Sequence, residues 1–286
     1  KCILKISKKI PKTKVNINKW ILSELFEASN LIKKNIKDYR FDEAAKNAYH
    51  FAWHTYCDWY LELSKTILYS NNNKAKTEVK EVSSFIFSQI LVMLHPFIPF
   101  VTEKIWLTNK FDKNGKNFLM LSNWISGKSK KDSDYDQVNK IIDIVSNLRS
   151  FKNELNVSPG SFVDISIHNI KKNNKSFVLN NDVIIKKLGR INNLFDKDQN
   201  KASASLIISG DMFKIYFDEN VDLSTIKENL LNRQNKYKVE MDKISQRLNN
   251  KSFIQRAPKD IVQQEKNNYS NLKKDIEKIS LTIESL

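Results

Sequence analysis

Histidine pairs and short glycine motifs are the first places to look for chemistry in this 286-residue sequence. His50 and His54 stand four apart and would share one helix face, a spacing that suits a metal ion. Phe51, Ala52 and Trp53 lie between them, so there is no HExxH frame. A third ligand would have to come from elsewhere, and ordinary helix residues are the better reading. His95 and His168 complete the set of four histidines. The stretch "SGKSK" at 126–130 has the look of a phosphate-binding loop, but Ser122 stands where its earlier glycine belongs and no strand leads into it. A solvated basic loop is expected there. The sequence also lacks a GxSxG elbow, a dinucleotide glycine fingerprint and a carboxylate pair with a clear role. No catalytic residue and no metal or cofactor site is expected in these residues.

Charge and aromatic residues remain. Lys and Arg number 48 against 32 Asp and Glu, a formal net charge of +16. That balance favours a polyanionic partner such as nucleic acid. An AT-rich genome would also enrich Lys, Asn and Ile together, and this alternative stays open. The block "YHFAWHTYCDWYLE" (49–62) could stack bases, but Trp53, Cys57 and Tyr60 fall on one face of a regular helix. A packed core is expected of such a stripe. With 41% hydrophobic residues the chain can bury real cores. Cys2 and Cys57 cannot build a disulfide framework or a four-cysteine zinc site, which predicts a reduced cytoplasm. No apolar run approaches the ~20 residues needed to span a bilayer, and the opening residues lack a signal-peptide pattern. The chain opens on Lys1 without an initiator methionine, which predicts a C-terminal piece of a longer polypeptide.

The elements that would carry these residues follow from periodicity. Ile21, Leu25, Ala28, Ile32 and Ile36 mark an amphipathic helix over 18–38, with Asn18 as its expected cap. A second helix is expected from about Asp42 through the aromatic block. The tract 70–78 should break it, and a third apolar helix should end or kink at His95, because Pro96 and Pro99 cannot occupy a helix interior. It should restart in "FVTEKIW". The loop 109–136 closes an expected helical bundle. A helix over 137–155, a strand at 161–167, a short helix around "NDVIIKKLGRI" and two strands around a Gly210-Asp211 turn suggest a small α+β unit. From Asp222 two apolar stripes follow. Leu223, Ile226, Leu230, Tyr237, Met241, Ile244 and Leu248 form one, and Val262, Tyr269, Leu272, Ile276, Ile279, Ile283 and Leu286 the other. They predict an antiparallel helical hairpin, with "NNKSFIQRAP" at its tip and Pro258 near the start of the second helix. The fold class is therefore mainly α, in three parts: a bundle over 1–135, an α+β junction over 136–220 and an arm over 221–286.

"NKWILSEL", "RFDEAAKNAYHFAWHTYCDWYLELSK" and "LVMLHPFIPFVTEKIW", in that order, resemble the helical anticodon-binding domain of the class I aminoacyl-tRNA synthetases that handle aliphatic amino acids. Within that family the valine-specific branch ends in a coiled-coil arm, and "RLNNKSFIQRAPKDIVQQE" is similar to its tip. The isoleucine branch commonly carries a cysteine-rich zinc module that two distant cysteines cannot form. The resemblance is strongest at 18–65, 85–106 and 222–286 and weakest across 161–218. The HIGH and KMSKS motifs of the catalytic domain and the editing domain are absent from the sequence.

The resemblance implies a parent enzyme that activates valine with ATP and magnesium, transfers it to tRNA(Val) and hydrolyses mischarged threonine. An apolar pocket needs such editing because it cannot strongly reject a near-isostere bearing a hydroxyl. These residues would read the anticodon and grip the tRNA corner, attached to their own catalytic domain in a monomer. Candidate RNA contacts are Lys33, Lys34, Lys37 and Arg40 in the bundle, and the basic segment Lys1 to Lys14 is another. Arg149 and Lys152 form a further group, and Arg247, Lys251, Phe253 and Arg256 lie on the arm. A different aliphatic synthetase (isoleucine or leucine), or a non-enzymatic coiled-coil protein with a protein partner, is the alternative.

Overall fold

The computed structural model describes residues 10–109, 111, 118–199, 203–217, 222–250 and 258–286. The chain is mainly helical, with one small mixed sheet. It divides into two compact units, 1–142 and 143–286.

The first unit is built from α1 (Asn16–Lys37), α2 (Phe41–His50), a π-helical stretch (Phe51–Tyr60), α3 (Leu61–Leu68), α4 (Asn73–Leu94) and α5 (Pro99–Thr108). A 3-10 turn (Leu119–Leu121) and an extended segment lead into α6 (Ser133–Glu154), which begins four residues before the expected 137. Ile21, Leu25 and Ile32 of the predicted stripe are fully buried. Each such side chain contributes roughly 1.5–3 kcal/mol by leaving water. Leu91, Val92, Trp106, Phe111 and Leu119 form a second cluster, against which Phe87, Ile105 and Trp124 pack.

Asn18 does not cap α1. The helix starts two residues earlier, and the Asn18 side chain is buried, giving its amide to Glu78 at 2.9 Å and accepting from the Tyr60 hydroxyl at 2.7 Å. Glu78, on α4, also accepts the N–H groups of Lys14 and Val15, the two residues just ahead of the helix, both at 2.9 Å. α4 itself starts inside the tract read as a break, because Asn72 accepts the Ala75 N–H and caps it. α4 ends at Leu94, and Pro99 opens α5 at a first-turn position where a missing N–H costs nothing. Thr102 bridges the joint through its hydroxyl, 2.8 Å from His95 Nδ1 and 2.9 Å from the Ile98 carbonyl.

The aromatic block departs from regular α winding. Leu61 donates to the Tyr56 carbonyl five residues back, the bond that defines a π turn. Phe51, Tyr56 and Tyr60, spaced five and four apart, are its buried aromatics, and Thr55 is buried beside them. Trp53, expected in the core, is rotated out to 54% exposure.

The second unit carries a four-stranded sheet in the order β2 (Ile191–Phe195), β1 (Val163–Ser166), β4 (Asp211–Phe217), β3 (Ser203–Ile208). β1 and β2 run parallel, joined by α7 (Lys172–Asn180) and α8 (Asp182–Gly189); the other pairs are antiparallel. α7 and β2 were not anticipated, since "INNLF" alternates too weakly to announce a strand. The hairpin turn is Ser209-Gly210, with φ of 50° and 81°, one residue earlier than expected. Asp211 instead opens β4, buried and accepting from the Lys171 N–H and the Asn174 side chain.

α9 (Leu223–Asn249) and α10 (Lys259–Ser285) pack together as the predicted hairpin, and α10 also meets β3. Asp222 caps α9 by accepting the Ser224 and Thr225 N–H groups at 3.0 and 3.3 Å. These bonds and the two hydroxyls, Ser224 first, pull its carboxyl down to about 2. Ile226, Leu230, Ile244 and Ile279 bury in the hairpin. Gln234 fills the gap in the first stripe, donating to the Ser280 hydroxyl at 2.7 Å.

Candidate nucleic-acid interface

The turn between α1 and α2 gathers the first group of predicted contacts. Lys33, Lys34, Lys37 and Arg40 are all exposed. Lys34 and Lys37 lie in the last turn of α1, where cations match the negative end of the helix dipole. The helix closes with Tyr39 in the left-handed region at φ 58°, a place usually taken by glycine. The Arg40 N–H reaches the Asn35 carbonyl at 2.8 Å and the Tyr39 N–H the Ile36 carbonyl at 3.1 Å. This closure pushes the Tyr39 ring outward to 83% exposure, with Phe41 edge-on at 6.2 Å. Tyr39 and Phe41 are functional candidates that the sequence reading passed over. Their signal was two aromatics flanking Arg40 in a cation-rich turn, the combination that stacks bases and neutralises phosphates. Asp38, Asp42 and Glu43 border the same turn.

Lys152 does a different job, while Arg149 is exposed and bonds to a carbonyl close by. Lys152 is only 2% exposed, which removes it from the expected RNA-facing surface. Its ammonium donates to the carbonyls of Gly189 at 2.9 Å, Ser161 at 3.0 Å and Arg190 at 3.3 Å. Arg149 reaches the Leu188 carbonyl through Nη2 at 3.1 Å and Nε at 3.3 Å. Together they satisfy the carbonyl end of α8, which terminates with Arg190 in the left-handed region at φ 55°. Burial, then the neighbouring Arg190 and Arg149 charges, depress the Lys152 ammonium to about 8.

On the arm, Arg247 is exposed and its Nη1 lies 3.2 Å from Glu265 Oε1 on the opposite helix. Lys251, Phe253 and Arg256 lie outside the described residues, as do residues 1–9 of the basic opening segment.

The "SGKSK" stretch runs extended along α1. Ser23 donates to the Lys130 carbonyl at 2.8 Å, Ser29 to the Ile125 carbonyl at 2.7 Å, and Asn30 to the Gly127 carbonyl at 3.0 Å. Its glycine makes close approach possible, since a Cβ on Gly127 would sit 2.4 Å from the Phe26 ring. The His50 and His54 rings are 5.1 Å apart, and His54 Nδ1 is 3.2 Å from the Asp58 carboxylate. Among the described residues no group of three or more His, Cys, Asp or Glu could hold a metal ion, and no helix is long and apolar enough to cross a membrane.

Both the helical bundle and the helical hairpin have counterparts in tRNA-binding families. Residues 18–167 match the anticodon-binding domain of tRNA ligases, and the chain belongs to that family. Residues 222–286 match the tRNA-binding arm of valyl-tRNA synthetases. The chain is 66% identical over 276 residues to the valine–tRNA ligase of Pelagibacter ubique (strain HTCC1062), covering 96% of this chain and 32% of that protein. It is 31% identical to the valine–tRNA ligases of Bartonella quintana (strain Toulouse), over 96% of this chain and 30% of the relative, and of Brucella suis biovar 1, over 93% and 30%. The chain thus spans about a third of the length of the curated relatives it matches.

Proposed function

We propose that this chain is the tRNA-gripping part of a valine–tRNA ligase, with tRNA(Val) as its partner. The observation that carries the reading is the α1–α2 turn, where the exposed Lys33, Lys34, Lys37 and Arg40 neighbour in sequence the outward rings of Tyr39 and Phe41. Single-stranded loop bases stack on such rings while the cations meet the backbone. In this reading 1–135 reads the anticodon, 136–220 joins, and 221–286 holds the outer corner of the tRNA. Arg247 contacts RNA on the arm, with Lys251, Phe253 and Arg256 as further contacts, and the exposed Arg149 is a contact on α6, whereas Lys152 supports the junction from inside.

The complete enzyme would join valine to tRNA(Val) with ATP and magnesium and would edit mischarged threonine. In this reading that chemistry belongs to catalytic and editing domains outside these residues, so the chain alone is expected to bind without aminoacylating. It would act as a monomer in the cytoplasm. The test is binding of this chain to tRNA transcripts with a valine anticodon and with a swapped one, at two salt concentrations. Affinity that falls with the anticodon swap, and loses that discrimination in a Tyr39→Ala/Phe41→Ala variant, supports the reading. Equal affinity for both transcripts would overturn anticodon reading by these residues.

A further inference from the structure

The arm carries a second feature away from its tip. A solvent-open groove of about 740 Å³ runs along α9, lined by Asn235, Lys236, Val239, Lys243, Arg247 and, from α10, Asn268. Its cations stand seven and four residues apart, which places them about 10 Å and about 6 Å from one another along the helix axis. Those separations are on the scale of two steps and one step of a sugar-phosphate backbone. Neither Lys236 nor Lys243 has a hydrogen-bond or ion-pair partner among the described residues. Ile244 lies buried at the groove wall, and among the described residues no aromatic ring lines the groove for bases to stack on. Its polar groups suit phosphate and ribose, the contacts that position an RNA without reading its sequence.

The groove also holds two carboxylates, Glu240 and Glu265. Glu265 is only 17% exposed at its side chain and lies 3.2 Å from Arg247 Nη1, whose own side chain is 60% exposed. A guanidinium has five N–H donors in a rigid fork, so one bond to a half-buried carboxylate leaves the others facing outward in a fixed direction.

We infer that this groove seats the sugar-phosphate backbone of the bound RNA, and that Glu265 is a positioning residue that aims Arg247 at a phosphate. The inference rests on the RNA-binding reading of the arm and extends it to residues away from the tip. It makes an unusual demand, because removing an acidic residue near a polyanion should strengthen binding on charge alone. Here Glu265→Ala weakens it.

The experiment measures binding of the full chain to the tRNA(Val) transcript over a salt series, with helicity checked by circular dichroism for each variant. Lys236→Ala/Lys243→Ala should flatten the slope of log affinity against log salt by about one to two, since each lost phosphate contact removes about 0.9. Lys74→Ala/Lys80→Ala, which removes the same charge from exposed positions of α4, should leave the slope nearly unchanged. Glu265→Ala should weaken binding by about three- to tenfold, with no further loss when combined with Arg247→Ala. Each loss should be the same on the anticodon-swapped transcript, because the groove meets backbone only. Equal slopes for the two lysine pairs, or tighter binding by Glu265→Ala, would overturn the inference while leaving anticodon reading standing. A chain that binds neither transcript would remove the RNA-binding reading itself.

Discussion

Glu78 Oε1 lies 2.9 Å from the Asn18 side-chain amide, joining α4 to α1 across 60 residues of chain. The same oxygen accepts the backbone N–H groups of Lys14 and Val15. One carboxylate therefore holds the residues leading into α1 and fixes a buried asparagine.

Glu78→Ala should lower stability by about 2–3 kcal/mol, because it strands backbone donors and a buried amide together. Tyr60→Phe removes a second partner of Asn18 and should cost about 1–2 kcal/mol. Denaturant midpoints with unchanged slopes would measure both.

The aromatic block yields a paired expectation. Trp53→Ala should stay within about 0.5 kcal/mol, as exposed positions do. Tyr60→Ala, which empties a fully buried site, should cost roughly 3–5 kcal/mol. Equal losses would mean that the block winds as a regular α-helix in solution.

Gly127→Ala should destabilise by about 1–3 kcal/mol, because the new methyl meets the Phe26 ring at 2.4 Å. Adding Phe26→Ala should restore part of that loss, a non-additivity expected of neighbours in contact.

Lys152 makes stability depend on alkaline pH. Its ammonium titrates at about 8 in the fold against an ordinary 10.5 when unfolded, so between these values the unfolded chain holds the extra proton. Stability should then rise with pH across that window and stay flat below it. Comparing unfolding midpoints of the unaltered chain and Lys152→Met at pH 7.5 and 9.5 isolates the effect. The unaltered chain should gain relative to the variant by about 1–2 kcal/mol.

Much of the fold was legible because its signals are local. The stripe at Ile21, Leu25 and Ile32 buries as its spacing requires, Pro99 begins a helix, and the two stripes after Asp222 pair into a hairpin. The functional residues were legible in part. Lys33, Lys34, Lys37, Arg40 and Arg247 are exposed, but charge by itself could not separate them from Lys152.

The sequence by itself determined most of the helical segments, where prolines interrupt them and that two self-matching helices follow Asp222, because periodicity and backbone restriction act within a few residues. Tertiary structure decided what no local pattern carries. Glu78 holds the residues leading into α1 from more than 60 residues away, the π turn moves Trp53 to the surface, and carbonyls from two separate segments, Ser161 and Gly189-Arg190, converge on Lys152. Each depends on a partner brought near only by folding, and the cost of leaving a buried polar group unpaired selects that partner.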